Sequence, residues 1–71
     1  MTLLGTPAQI YSSALDSVNL INQGQPLGMS AEVWNTILQA NVGALEVMVA
    51  APIWTTEDLQ PLKDAIIKGS L

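Results

Sequence analysis

The side chains of this 71-residue chain that could carry chemistry are six carboxylates, two lysines and a scatter of hydroxyls and amides. Histidine and cysteine are both absent. That removes Ser–His and Cys–His nucleophile pairs, thiol redox chemistry and the ligands that suit a structural zinc ion. Glu57 and Asp58 are adjacent and so face different directions on a helix; they read as favourable charges near a helix N-terminus. Asp16, Glu32, Glu46 and Asp64 fall on faces expected to be solvated and do not converge. No loop has the alternating acidic spacing that holds Ca²⁺, and Gly24 and Gly28 form no phosphate cradle with a P-loop lysine. The expectation is a protein that is not an enzyme and that holds no cofactor and no metal.

Charge narrows the partners. Charged residues make up 11% of the chain, against about 25% in ordinary globular domains. The net charge is −4, with Lys63 and Lys68 as the sole cations. Binding to nucleic acid draws its affinity from neutralised phosphates, and anionic lipid surfaces make the same demand, so neither partner is expected. The N-terminus, Met1 to Pro7, has no basic region followed by a sustained apolar run, and no stretch approaches the ~20 apolar residues that span a bilayer. A cytoplasmic protein is the expectation.

The elements that must position these residues are helical. Thr6 reads as an N-cap with Pro7 at the first helical position, and Ile10, Tyr11, Ala14, Leu15, Val18 and Ile21 recur at helical period up to a stop at Gly24, which predicts a helix over 7–23. Ser12, Ser13 and Ser17 fall on the solvated side, and Leu20 is an apolar residue there without an obvious place in the fold. Gln25-Pro26-Leu27-Gly28 reads as a β-turn with Pro second and Gly fourth. Ser30 caps a helix predicted over 31–50, with Met29 and Trp34 as a hydrophobic staple and Pro52 as the terminator. Thr55 and Asp58 have capping-box spacing and open a third helix over 56–68, in which Pro61 implies a kink or a separate first turn. Asp64 and Lys68 have the spacing of a favourable pair, and Gly69 reads as the stop. The fold class expected is all-α: a small three-helix bundle in one domain, with a long second helix in the middle and the other two packed on it.

The second helix is too apolar for one neighbour. Its apolar residues, from Val33 and Trp34 through Ile37, Val42, Leu45, Met48 and Val49, with Ala40, Val47 and Ala51 at the margins, cover about 220° of the wheel, whereas one helix contact needs about 100°. Ala40, Ala44 and Ala51 make a narrow strip of small side chains, suited either to core packing or to a contact between chains. Asn41 lies amid this arc and must have its amide satisfied, by backbone at a loop or helix end of the same chain, by a second chain that fixes register, or by a ligand. A chain this short hides only about 60% of its unfolded surface, so regular packing or self-association is called for.

Together these features point to a small protein–protein interaction or assembly module, self-associating as a homo-oligomer or serving as a subunit of a larger assembly. Trp34, Asn41, Met48, Leu20, Ile67 and Leu71 are the expected interface or core-specificity residues. The alternative is a monomeric binder of an apolar small molecule, with a pocket near Trp34, Asn41 and Met48.

Overall fold

A computed structural model describes residues 6–70. They form three helices, α1 (Pro7–Gln23), α2 (Ala31–Ala50) and α3 (Thr56–Gly69), and the described residues contain no strand. Leu71 and the apolar Leu3 and Leu4 lie outside them.

Side chains supply the donors and acceptors that each helix start lacks. Thr6 Oγ1 accepts from the Gln9 amide at 3.2 Å while Gln9 Oε1 accepts from the Thr6 amide at 2.9 Å, a complete capping box. Thr55 and Asp58 repeat it, at 3.1 and 3.3 Å. Ser30 Oγ accepts from the Val33 amide at 3.2 Å. Glu57 and Asp58 lie in the first turn of α3 and Lys68 in its last, so these charges complement the helix dipole.

The connection between α1 and α2 differs from the expected turn by one residue. The closing hydrogen bond runs from the Met29 amide to the Pro26 carbonyl at 3.2 Å, so the turn is Pro26–Met29. Gly28 then occupies the third position with φ +86°, the left-handed conformation that a type II turn requires there. The conformational freedom of Gly28 decides the register. Pro26 falls on the first position instead of the second.

α2 ends because Pro52 has no amide to donate to the Met48 carbonyl four residues earlier. Two other donors replace it: the Ala51 amide at 3.1 Å and the Trp54 indole Nε1 at 2.9 Å. α3 keeps Pro61 as its sixth residue and continues as a single element to Gly69, so Thr55–Gln60 is not a separate turn. In α3 the carboxylate of Asp64 accepts from the Gln60 amide at 2.9 Å.

The core is formed by Ala14, Val18 and Ile21 of α1, Val42 and Leu45 of α2, and Leu62 and Ala65 of α3, with Leu45 and Leu62 fully buried at its centre. Each helix touches both of the others. This departs from an arrangement of two outer helices on a middle one: α1 meets α3 directly, with the Tyr11 hydroxyl donating to the Asp58 carbonyl at 2.7 Å. The Tyr11 ring also lies 5.4 Å from that of Trp54, tilted by 45°. α2 is the longest of the three at 20 residues but is not a hub.

Gly69 is needed for a reason other than a helix stop. It is buried in the last turn of α3, and a Cβ there would fall 2.5 Å from Val42 Cγ2 and 3.3 Å from Leu38 Cδ1. Absence of a side chain lets the end of α3 close against α2. Among the described residues no helix is long and apolar enough to cross a membrane.

Candidate functional site

The broad apolar arc of α2 is split between core and solvent. Val42 and Leu45 are buried, and Leu38, Met48 and Val49 pack against the core from its margins. The other half of the arc is not covered: Val33 is 51% exposed, Val47 is 74% exposed, and Ala40 and Ala44 are exposed between them. Ile37 and Ala51 on the same strip are half-buried. Ala40 and Ala44 are therefore not part of the core packing, although Ala44 borders α1 across a groove and Ala51 is half-buried.

Next to this strip, α1 and α2 diverge to leave an open groove of about 450 Å³. Ile10, Ser13, Ala14 and Ser17 form its α1 wall. Ala44, Leu45, Val47 and Met48 form the α2 wall. Small side chains on both walls make the space: Ser13 and Ser17 face Ala44, where larger residues would fill the gap. No charged residue lines it. Ser13 turns its hydroxyl onto the Gln9 carbonyl at 3.2 Å, which spends its donor within α1. The sequence places Ser13 and Ser17 on a solvated face, and their part in this groove goes unread because a helical wheel shows which side a residue faces but not where a neighbouring helix ends.

The residues singled out in the sequence do not form one site. Met48 lines the groove, whereas Trp34 and Asn41 do not. Trp34 is half-buried on α2. Asn41 is also half-buried, about 70° around the wheel from the line between Val42 and Leu45, and its Nδ2 donates to the Ile37 carbonyl one turn back at 2.8 Å. Within the chain this donor is taken up by its own helix and not by a loop. Leu20 is half-buried and Ile67 is 62% exposed on α3, while Leu71 lies outside the described residues.

Among the described residues no group of His, Cys, Asp and Glu gathers as a metal would need, and no buried side-chain nitrogen or oxygen is left without a hydrogen-bond partner. Tyr11 has its phenol pKa raised, chiefly by desolvation and then by the nearby Asp58 charge, and it belongs to the α1–α3 contact. Comparison with protein families, curated proteins and solved structures finds no match to this chain.

Proposed function

We propose that this protein is a small cytoplasmic interaction module that self-associates through the uncovered face of α2 and performs no catalysis of its own. The observation that carries this reading is the outward strip from Val33 to Val47, continuous with an uncharged groove. Isolated exposed apolar residues are ordinary on any protein, but a contiguous stripe along one helix is characteristic of a surface that meets a partner. The low charge supports the same reading, since few carboxylates stand between two copies. In this reading α2 organises the assembly even though it is not the hub of the monomer.

A second reading rests on the groove alone. Its volume lies within the ~300–1,000 Å³ usual for small-molecule sites, so an apolar ligand seated between α1 and α2 is the alternative. Such a site would use Met48, Val47 and Ile10, not Trp34 and Asn41. The two readings separate on concentration: association makes the melting temperature rise with protein concentration, and binding of a ligand by a monomer does not. Thermal melts over about a hundredfold range of concentration, with light scattering at both ends, distinguish them.

A further inference from the structure

The chain has three methionines and no cysteine, so thioethers are its only sulfur. A thioether takes up an oxygen atom from peroxides, and the sulfoxide that forms is polar and chiral where the side chain was apolar. The consequence depends on position. Met1 lies outside the described residues. Met29 is half-buried in the connection between α1 and α2 and is not one of the side chains packed on the core. Met48 does two things at once: it packs against the core cluster that holds Leu45 and Leu62, and it lines the open groove between α1 and α2.

A small oxidant in the groove therefore meets a side chain on which the fold depends. The groove holds about 450 Å³, against the roughly 30 Å³ that a water molecule takes up in the liquid, so hydrogen peroxide enters without movement of the helices. What it would leave behind fits poorly. Ile10, Ala14, Ala44, Leu45 and Val47 surround Met48 with apolar groups, no charged residue lines the space, and Ser13 has given its hydroxyl proton to the Gln9 carbonyl. Ser17 supplies the one further side-chain hydroxyl of the lining. Met48 is also a junction of the backbone: its carbonyl accepts from the Ala51 amide and from the Trp54 indole, and Trp54 in turn lies against Tyr11 of α1.

We propose that Met48 is a redox-sensitive modification site, at which peroxide entering the groove oxidises the thioether and loosens the packing of α1 on the end of α2. In this step a sulfur lone pair attacks one peroxide oxygen, and the S–O bond forms as the O–O bond breaks. The second oxygen departs as hydroxide and leaves as water with the proton of the transferred oxygen, so one peroxide yields one sulfoxide and one water. Sulfur loses two electrons and the peroxide gains them. Reduction of the sulfoxide restores the apolar side chain and with it the packing. The single chain suffices for this, with no second copy and no bound ligand.

The test treats the folded chain with hydrogen peroxide, maps the added oxygen by mass spectrometry and compares melting temperatures with those of Met48→Leu and Met29→Leu. Leucine is close to methionine in volume, so both variants keep the packing of the fold. Met48 should gain one oxygen in the folded chain, and the melting temperatures of the unaltered chain and of Met29→Leu should fall by about 5 °C or more. Met48→Leu should keep its own melting temperature through the same treatment. Incubation of the oxidised chain with methionine sulfoxide reductases should return the lost degrees. A Met48 that stays unoxidised in the folded chain, a Met48 sulfoxide that leaves the melting temperature unchanged, or an equal fall in Met48→Leu overturns the proposal.

Discussion

Trp54 Nε1 donates to the Met48 carbonyl at 2.9 Å, at the position where Pro52 has no amide to offer. One residue ends the helix and another, two positions later, satisfies the group left behind. The same indole sits against the Tyr11 ring, so the α2–α3 connection is tied both to the end of α2 and to α1. Trp54→Phe keeps the aromatic contact and removes the donor, leaving the carbonyl with the Ala51 amide alone. The expected loss is about 1 kcal/mol, read as a lower denaturation midpoint in urea with an unchanged slope.

Gly69 is the position most sensitive to a single added methyl group. A Cβ 2.5 Å from the branched side chain of Val42 forces α3 away from α2. Gly69→Ala is therefore expected to destabilise by about 1–3 kcal/mol, although alanine is the better helix former by nearly 1 kcal/mol. Pairing it with Val42→Ala should restore part of that loss, a coupling measurable in a double-mutant cycle.

Asn41→Leu tests the role of the one amide set beside the core. Its bond to the Ile37 carbonyl duplicates the backbone bond that the same carbonyl accepts in the helix, so removing it orphans nothing. Stability should stay level or rise by up to about 1 kcal/mol, and the size of any oligomer should not change. A change of oligomer size on this substitution would show that Asn41 sets register between chains.

The phenol of Tyr11 makes stability depend on pH at the alkaline end. Its folded-state pKa is raised above the ordinary value of 10.0, so the folded chain holds the proton more tightly than the unfolded one. This contribution is fully present below pH 10.0 and is lost as pH rises through the folded value. Tyr11 is the single tyrosine, so the tyrosinate absorbance reports it directly. Tyr11→Phe should flatten the alkaline part of the stability profile and also remove the bond to the Asp58 carbonyl.

The helices were legible in the sequence because their punctuation is local. Thr6 ahead of Pro7, Ser30 as a cap, Thr55 with Asp58, and Pro52 each act within about a turn, and the structure shows all of them at work, with Gln9 completing a capping box at Thr6 that the sequence reading did not include. What the sequence left open is how the apolar arc of α2 divides between neighbours. That depends on where α1 and α3 come to rest, set by contacts such as Tyr11 to Asp58, 47 residues apart. Asn41 and Gly69 depend on the same tertiary placement: Asn41 lies half-buried at the edge of the core instead of amid it, and Gly69, where α3 ends, is also where that helix closely approaches α2. Ser13 and Ser17 gain a wall of the groove because the helix opposite carries Ala44.

Sedimentation velocity on the unaltered chain and on Val47→Glu, over about a hundredfold range of concentration, is the most direct measurement of self-association. Val47 is 74% exposed in the single chain, so glutamate there leaves the monomer fold intact, which circular dichroism checks. The unaltered chain should shift reversibly from monomer to dimer as concentration rises, and Val47→Glu should remain monomeric with the same helix content. A monomer at every concentration, or an association that Val47→Glu leaves untouched, would contradict the claim that this face of α2 is built to be covered.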